Sequence, residues 1–511
     1  MPNALLIYPE HPPTYWGMKS ALEIIGKKSA FPPLGLLTIA TMFPPEYNLR
    51  LVDLNVTTLK DEDLEWADIA FTSTMIVQRV SLQIVIEQCK RAGVPVVAGG
   101  PHPTTFHEEI DDVDHLVLDE VEETFPQFLQ DLAKGSAKAM YREPRKPDIT
   151  QTPIPRFDLI DMNNYHTIGL QFSRGCPFDC EFCDITKLYG RVARTKTPAQ
   201  MVEEFELIYR LGWRGQVFLV DDNFIGNKRD AMKLLPVLAE WQKAHGYPFS
   251  LCTEASVNLA RLDALMEAMV EAGFDTVFLG IETPNPEALI KTKKPQNLSK
   301  RDDNYLFNAV RKIQNTGMQV QGGFILGLDG DDESVFDAQI SFIQETGIPV
   351  AAIYLLTALK GTDMYHRLEE ENRLLDVSVG TSSMTLNFQP EIDPSVLIDG
   401  YQRVTTTLYD PTLESYFERC LTLIENLKPV PHLLKPKTQM AVYADIMGLR
   451  RLLSEEQLPA YLRFIAEVSK RYPRMLPKAI DLAAQGYHFE KFTRQQVAIH
   501  DFKRALEEEL A

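Results

Sequence analysis

Three closely spaced cysteines are the part of this sequence best suited to chemistry. Cys176, Cys180 and Cys183 lie in the run SRGCPFDCEFC, so their spacing is C-x3-C-x2-C. Iron–sulfur clusters are bound by cysteine thiolates, and a four-iron cluster usually takes four of them. Three thiolates leave one iron with an open position, where a substrate or cosubstrate can bind and react. The spacing therefore indicates a reactive metal centre.

Two other uses of these cysteines remain alternatives. A structural zinc site normally has four Cys or His ligands, but the remaining cysteines are isolated, at Cys89, Cys252 and Cys420, and the nearest histidine, His166, precedes the motif. A disulfide framework needs a higher density than six cysteines in 511 residues. The spacing favours the iron–sulfur site over both.

The motif resembles the signature of the radical S-adenosylmethionine (SAM) superfamily, including the aromatic Phe182 before the third cysteine. The resemblance implies that Cys176, Cys180 and Cys183 hold a 4Fe–4S cluster whose open iron is chelated by the amine and carboxylate of SAM. One electron from the cluster would then break a carbon–sulfur bond and give a 5'-deoxyadenosyl radical. An external electron donor such as flavodoxin or ferredoxin is implied as well.

Composition excludes several other classes of protein. The chain has 45% hydrophobic and 24% charged residues, which is typical of globular proteins, and its length suits two or three domains. Its net charge of −19 argues against binding nucleic acid. Neither a long apolar stretch nor a basic leader is visible, so we expect a cytoplasmic protein.

The first part of the chain alternates short apolar strands with helical patterns, as parallel α/β sheets do. We expect a doubly wound, Rossmann-like domain over 1–135, with a helix over 75–92, followed by a linker over 136–160 that is rich in Pro, Lys and Arg. The predicted strands are Leu5–Tyr8, Leu49–Asp53, Ile69–Thr72, Pro95–Ala98 and His115–Leu118.

A second α/β series starts directly before the cysteines. Six βα units are too few for a closed eight-stranded barrel, but they suit the partial (β/α)6 barrel that the radical SAM resemblance implies, over 161–390. A mostly helical domain is expected over 391–511, including helices at 458–470 and 494–510. The predicted strands are Ile168–Phe172, Val217–Val220, Phe249–Thr253, Thr276–Ile281, Gln319–Leu326 and Ala351–Leu355.

Ligands of parallel α/β folds lie at the carboxyl ends of the strands. Together with the resemblance to the radical SAM superfamily, this rule predicts that residues at or near these strand ends bind SAM. The aromatic residue of the cysteine motif is predicted to take part as well. A helix N-cap or a surface ion pair is the alternative for each carboxylate. No catalytic acid or base can be assigned. The predicted SAM-binding residues are Phe182, Asp222, Asn223, Glu254, Glu282, Gly323, Ile325 and Leu356.

Three residues beyond the cysteines, Tyr189, Arg191 and Arg194, have two interpretations. They would either position a substrate or be solvated surface groups, and the second interpretation is preferred.

The N-terminal domain resembles the cobalamin-binding domain that precedes some radical SAM cores. The cues are a Gly-Gly turn after one strand and an acidic run after the next. The cobalamin proteins that ligate cobalt with histidine carry D-x-H-x-x-G, whereas the segment around His11 lacks that aspartate and glycine, so His11 is interpreted as a loop residue. The predicted cobalamin-binding residues are Thr72, Ser73, Gly99, Gly100, His102 and Glu120.

Together these features resemble the cobalamin-dependent radical SAM group that includes hopanoid C2 methylases and bacteriochlorophyll side-chain methylases. The resemblance implies methyl transfer to an unactivated carbon of a small-molecule substrate, either a lipid or a tetrapyrrole. A cyclisation or rearrangement without methyl transfer, and a non-enzymatic cobalamin or metal sensor, are the alternatives.

The stretch 428–478 contrasts with the acidic chain because it holds ten Lys or Arg against four Asp or Glu. Such a stretch either approaches an anionic membrane surface or is simply a solvated face.

Overall fold

The computed structural model describes residues 1–375, 384–434 and 438–510. They fall into two compact units. The first unit comprises 1–13, 27–177 and 184–222, and the second comprises 14–26, 178–183 and 223–511. The domain bounds given above remain predictions.

The strands of the described residues follow the predicted positions closely. They are β1 Asn3–Tyr8, β2 Asn48–Asp53, β3 Ile69–Ser73, β4 Val96–Gly99, β5 His115–Val117, β6 Met140–Tyr141, β7 Thr167–Leu170, β8 Ser173–Arg174, β9 Arg194–Thr195, β10 Gln216–Leu219, β11 Ser250–Ala255, β12 Phe274–Glu282, β13 Gln319–Leu326 and β14 Ala351–Leu355.

The α-helices of the same residues are α1 Lys19–Ile24, α2 Leu34–Ala40, α3 Asp61–Trp66, α4 Arg79–Ala92, α5 Pro101–Phe106, α6 Thr124–Ala133, α7 Ile185–Leu188, α8 Pro198–Arg210, α9 Lys228–Ala244, α10 Asp263–Ala272, α11 Pro286–Lys291, α12 Tyr305–Gln314, α13 Ser334–Thr346, α14 Asp363–Glu370, α15 Pro394–Leu408, α16 Glu414–Asn426, α17 Gln439–Arg450, α18 Leu458–Arg471 and α19 Leu476–Leu510.

The first unit contains a parallel sheet with the strand order β2-β1-β3-β4-β5-β6. Successive residues of a strand face opposite sides, so Leu5 and Leu6 of β1 lie in two separate apolar clusters. Both faces are therefore covered, which confirms the doubly wound prediction. The strand order reverses between β1 and β3, the place where such folds bind ligands.

The segment 136–160, predicted as a linker, contains the short strand β6, which extends this sheet beside β5. The first unit also holds the parallel pair β7 and β10 and the antiparallel pair β8 and β9, which lie before and after the first cysteine.

The second unit contains β11 to β14 as neighbouring parallel strands in sequence order. One face of this sheet is mainly apolar, with one polar residue, Thr253, and its side chains are buried. With β7 and β10, all six strands predicted for the second series are present. The residues of that apolar face include Leu251, Val277, Leu279, Val320, Phe324, Ala351 and Ile353.

The mostly helical C-terminal region is also confirmed, but its last helix is longer than predicted. Helix α19 has 35 residues and begins at Leu476 rather than at Arg494. Gly486 lies within it, and the ring of Tyr416 occupies the space in which a Cβ at that position would stand. No helix among the described residues is long and apolar enough to cross a membrane.

Candidate functional site

The backbone at the first cysteine is fixed within the first unit. Gly175 has φ +94°, and a Cβ there would approach the carbonyl oxygens of Tyr189, Gly190 and Val192 within 3.0 Å. The N–H of Cys176 donates to the carbonyl of Gly190 at 3.2 Å. Only glycine fits this close approach at positive φ, so Gly175 determines the direction in which Cys176 leaves strand β8.

Two consecutive aspartates after β10 hold the same loop. Asp221 accepts hydrogen bonds from the Phe172 N–H at 2.8 Å and the Ser173 hydroxyl at 2.6 Å, and Asp222 accepts one from the Gly175 N–H at 2.8 Å. Burial raises the pKa of Asp221 to about 7 and that of Asp222 to about 6. Asp221 is a positioning residue that the sequence had not singled out, although its place at a strand end was visible.

A buried ion network lies next to this loop, also within the first unit. Arg174 donates to Glu120 at 2.9 Å and to Glu122 at 2.7 Å, and Arg194 donates to both oxygens of Glu120 at 2.8 and 3.0 Å. The Arg174 and Arg194 side chains are only 12% and 17% exposed. Burial raises the pKa of Glu122, but Arg174 outweighs it and holds the pKa below its usual value.

This network revises one interpretation made from the sequence. The preference for Arg194 as a solvated surface charge is wrong, because its guanidinium is paired with Glu120 and also donates to the carbonyls of Tyr189 and Pro147. Glu120, predicted to bind cobalamin, uses its carboxylate to join Arg174 and Arg194.

The segment 178–183 carries the other two cysteines and belongs to the second unit. The Gln296 side chain donates to the Cys180 Sγ at 3.4 Å, and the Cys183 N–H donates to the Cys180 carbonyl at 3.1 Å. Between them, the Glu181 N–H donates to the Thr292 carbonyl, and its buried carboxylate accepts from Arg367 at 2.6 Å. These contacts fix the segment from both sides.

Within the described residues, no three His, Cys, Asp or Glu side chains are gathered to bind one metal ion.

The register of the second unit's sheet places several predicted SAM residues on one face. Glu254 of β11 is opposite Phe278 of β12, whose same-face neighbour Gly280 is opposite Gly323 of β13. Ile325 follows Gly323 by two residues on β13 and therefore shares its face. In contrast to the buried apolar face, this face carries polar and half-buried side chains, as a ligand-binding face does.

Three other predicted residues also come together. Phe182, Ile325 and Leu356 belong to one apolar cluster of the second unit. The Lys294 ammonium lies 5.8 Å from the Phe182 ring. This cluster offers an apolar surface that suits a flat ring such as adenine.

Glu282 ends β12 with φ +65° and forms a buried ion pair with Lys294. A Cβ at Gly280 would lie 2.6 Å from the Glu282 carboxylate and 2.8 Å from the Lys294 Nζ. Burial lowers the pKa of Lys294, but Glu282 and then Cys180 outweigh it, and the pKa is raised. The absence of a side chain at Gly280 therefore makes room for this pair.

Gln296 and Asn297 are site candidates that the sequence had not indicated. The Asn297 amide donates to the carbonyls of Gly280 and Ile281 at 3.0 and 2.9 Å. The side-chain oxygens of Gln296 and Asn297 are buried and have no hydrogen-bond partner among the described residues. Asn223, a predicted SAM residue, donates to the Ser256 hydroxyl at 3.3 Å.

The predicted cobalamin crevice of the first unit also contains unpaired polar atoms. The hydroxyls of Thr72 and Thr74 and the Nδ1 of His102 are buried without a partner in the part of the chain that the structure describes. Buried polar groups are nearly always hydrogen-bonded, so these atoms fit a ligand that supplies partners. The sequence predicts Thr72 and His102 here, while Thr74 is added by the structure.

The Gly99–Gly100 turn explains how β3, β4 and β5 end so close together. A Cβ at Gly99 would lie 2.8 Å from the Val117 carbonyl, and one at Gly100 would lie 2.7 Å from the Thr74 N–H and 2.8 Å from the Ser73 hydroxyl. Gly100 also has φ +96°.

His11 follows β1, and its Nε2 is 3.0 Å from the Tyr8 hydroxyl. Burial lowers the pKa of His11 to about 4, so the ring is neutral near pH 7.

The doubly wound sheet, the parallel core strands and the cysteine motif define a cobalamin-binding radical SAM protein. The B12 binding domain profile matches residues 27–129, and the Radical SAM superfamily profile matches residues 170–343. A domain of unknown function, DUF4070, matches residues 362–501.

Two relatives cover most of the chain. A Synechocystis protein with the name uncharacterized methyltransferase sll1242 is 46% identical, over 97% of this chain and 93% of that protein. The hopanoid C-2 methylase of Rhodopseudomonas palustris is 36% identical, over 73% of this chain and 71% of that protein. The chain belongs to the cobalamin-dependent radical SAM methyltransferase family. It is thus an enzyme whose cofactors are a 4Fe–4S cluster, SAM and cobalamin.

Solved structures share the fold at low identity. The cobalamin-dependent SAM radical enzyme OxsB with aqua-cobalamin bound has a TM-score of 0.61 at 13% identity, over 98% of this chain and 84% of that chain. The radical SAM methyltransferase TsrM from Kitasatospora setae, with cobalamin and a 4Fe–4S cluster bound, has a TM-score of 0.57 at 15% identity, over 94% and 99%.

Proposed function

We propose that the protein transfers a methyl group to an unactivated carbon of an apolar ring compound, either a hopanoid-like lipid or a tetrapyrrole. When bound, the cluster and SAM supply a 5'-deoxyadenosyl radical, and cobalamin supplies the methyl group. Cys176, Cys180 and Cys183 hold the cluster. The predicted SAM residues of the sheet face and of the Phe182 cluster bind SAM, and Thr72, Thr74, His102 and the Gly99–Gly100 turn bind cobalamin.

The class of substrate is inferred from an aromatic wall, formed by Trp16, Phe278 and Tyr354, on the proposed SAM-binding face of the second unit's sheet. Tyr354 is on this face, since Ile325 is its register partner. The Trp16 indole packs edge-on against the Phe278 ring at 5.1 Å and donates a hydrogen bond to the Tyr354 hydroxyl. Aromatic side chains bury a large apolar area, so this wall suits an uncharged ring system.

The ionisation state of Tyr354 on this face supports the same class of substrate. Burial raises the pKa of Tyr354, and Tyr15 and Glu254 raise it further against the hydrogen bond from Trp16. Tyr354 therefore stays neutral and can donate its own proton to a substrate oxygen. With Trp16 and Phe278 beside it, the wall offers polar atoms at its edge and apolar rings at its centre.

Two relatives are consistent with this class: a hopanoid C-2 methylase and the bacteriochlorophyllide d C-12(1)-methyltransferase of Chlorobaculum tepidum, 25% identical over 67% of this chain. By their names, the first methylates a hopanoid and the second bacteriochlorophyllide d.

The assignment of the three motif cysteines as cluster ligands is tested by reconstituting the iron–sulfur cluster in the absence of oxygen. We expect Cys176→Ala to lose the brown cluster absorbance and most of the bound iron. The control is Cys89→Ala, because Cys89 is a buried thiol of helix α4 outside the motif. A Cys176→Ala protein with a full cluster would refute the assignment.

The reaction class is tested by incubating the reduced, reconstituted protein with SAM and either a hopanoid or bacteriochlorophyllide d. Methylated product with both 5'-deoxyadenosine and S-adenosylhomocysteine supports the proposal. A rearranged product with 5'-deoxyadenosine alone would instead establish the alternative without methyl transfer. We expect Trp16→Ala to raise KM for the accepted substrate about tenfold, because it removes part of the wall.

A further inference from the structure

The side chain of Gln296 is directed at one of the three motif sulfurs. Its amide nitrogen donates to the Cys180 Sγ at 3.4 Å, although the two residues are 116 positions apart in the sequence. Both lie in the second unit, and Gln296 is only 7% exposed. Its amide oxygen is buried and has no hydrogen-bond partner among the described residues. The contact with sulfur therefore sets the orientation of this amide.

Backbone and side-chain contacts on both sides hold Gln296 in place. It lies in a short 3₁₀ turn, Pro295–Asn297. Before this turn, the Lys294 N–H donates to the Leu289 carbonyl at 2.8 Å. At its end, the Asn297 side chain donates to two carbonyls of strand β12 at 3.0 and 2.9 Å. The protein itself thus positions the amide, which is the preorganisation that a functional site requires.

A hydrogen bond to a neutral thiol does not account for this orientation. A thiol sulfur is a weak acceptor, and a buried amide oxygen without a partner destabilises a fold. A cysteine that binds a metal is a thiolate, and a hydrogen bond to a charged acceptor is about twice as strong as one between neutral groups. The Gln296 contact is therefore strongest when Cys180 carries a negative charge, as a cluster ligand does.

A hydrogen bond of this kind acts on the reduction of a cluster. The reduction potential of an iron–sulfur cluster depends on hydrogen bonds to its sulfurs. Uptake of one electron makes the ligand sulfurs more negative, so an N–H at Cys180 stabilises the reduced form more than the oxidised form. Lys294 is less suited to this role, because its positive charge is compensated by Glu282 in a buried ion pair.

We propose that Gln296 is a positioning residue that raises the reduction potential of the 4Fe–4S cluster through its hydrogen bond to Cys180. One electron passes from a low-potential external donor to the cluster, and the amide keeps its protons throughout. Gln296 thereby favours the reduction that precedes cleavage of SAM. The inference rests on the proposed role of Cys180 as a cluster ligand.

The test is a redox titration of the full-length protein, reconstituted with its cluster without oxygen and titrated with dithionite in the absence of SAM. The reduced cluster is followed by electron paramagnetic resonance. Gln296→Met keeps the length of the side chain and removes the N–H group. We expect it to lower the equilibrium constant for one-electron reduction about tenfold, which is a fall in potential of about 59 mV.

The matched control is Gln314→Met. Gln314 is also buried, and its amide donates to the carbonyls of Thr346 and Gly347 at 3.0 and 3.2 Å. This variant loses a buried amide that donates to backbone carbonyls instead of to a motif sulfur, so its potential should equal that of the parent. Iron content and cluster absorbance should match the parent in both variants, which separates a change of potential from loss of the cluster.

The parent protein provides a second measurement that does not depend on a variant. When glutamine side chains are labelled with ¹⁵N, pulsed electron paramagnetic resonance of the reduced cluster should detect a weak coupling to the labelled nitrogen. The Gln296→Met protein should lack this coupling, whereas Gln314→Met should keep it.

Three results would overturn the inference. They are an unchanged potential in Gln296→Met, an equal fall of potential in Gln296→Met and Gln314→Met, and no ¹⁵N coupling in the parent. A Cys180→Ala protein with a full cluster would instead refute the ligand assignment on which the inference rests, and iron analysis shows this separately. Since no measurement uses methyl transfer, failure here is distinct from failure of the proposed reaction.

Discussion

Replacement of Glu120 should destabilise the first unit although it alters few atoms. Its carboxylate is 2% exposed and accepts three hydrogen bonds from Arg174 and Arg194. Glu120→Gln keeps the size of the side chain but removes the negative charge and puts an N–H₂ group opposite a guanidinium. Arg194 then loses its only carboxylate partner among the described residues, while Arg174 keeps Glu122.

The expected fall in the free energy of unfolding follows from the burial of the Glu120 ion pairs. Breaking a buried ion pair by removing one partner costs about 3–5 kcal/mol. Glutamine keeps one acceptor oxygen, so the lower end applies, and we expect the free energy of unfolding to fall by about 3 kcal/mol. For a folding unit of 150–250 residues, this corresponds to a fall in Tm of about 6–12 °C.

The assay is thermal and urea unfolding of the cluster-free protein, so that cofactor binding does not contribute. The matched control is Glu123→Gln in the same loop, since Glu123 pairs with Arg145 at 2.7 Å but the two side chains are 52% and 71% exposed. An exposed pair contributes about 0–1 kcal/mol, so the control should change Tm by about 4 °C or less. Equal effects of the two variants would refute the reasoning that burial gives the Glu120 network its importance.

Three further changes probe the cofactor sites and the core. Thr72→Val removes a buried hydroxyl without a partner among the described residues, so it should stabilise the cobalamin-free protein by about 1 kcal/mol and weaken aquocobalamin binding in a spectroscopic titration; destabilisation would contradict it. Burial raises the pKa of Asp329, but Arg373 and Arg367 lower it below its usual value, so the ion pairs stabilise the fold above about pH 4 and lose that effect as pH falls further. Asp329→Asn should therefore cost about 3 kcal/mol at pH 7 and less at pH 3, measured by urea unfolding at both values. Gly323→Ala places a Cβ 2.8 Å from the Phe278 ring and should lower the free energy of unfolding by about 1–3 kcal/mol, while an unchanged value would show that the ring moves freely.

The strands could be predicted because each carries its own signal. A buried parallel strand is a short run of apolar residues bounded by turn residues, as in β13, which the sequence predicted at its full length. β6 could not be found in this way, because two residues, Met140 and Tyr141, give no periodicity. The start of α19 was placed too late, because its N-terminal half packs on several sides and shows no simple stripe.

The cysteine motif could be predicted because its members are close in sequence, but its supports could not. Glu120 and Arg194 are separated by 74 positions, and an isolated arginine is more often solvated than buried. Gln296 and Asn297 gave no signal, because amides have no distinctive pattern and only the burial of their oxygens marks them. The sequence therefore predicted the cysteine motif but not the ion pairs and amide contacts that surround it.

The missing side chain of Gly486 leaves a space on helix α19 that we call the glycine notch. This notch has a consequence for a distant part of the second unit. The Tyr416 ring sits beside Gly486, and its hydroxyl donates to the Leu482 carbonyl at 2.7 Å. A long uniform helix can slip by one turn along its axis, but this notch admits the ring at one position only. The same helix, through His488, donates to the Tyr15 carbonyl at 3.1 Å. Gly486 thus fixes the axial position of α19. Through Tyr15, it also fixes the place of the neighbouring Trp16 on the aromatic wall.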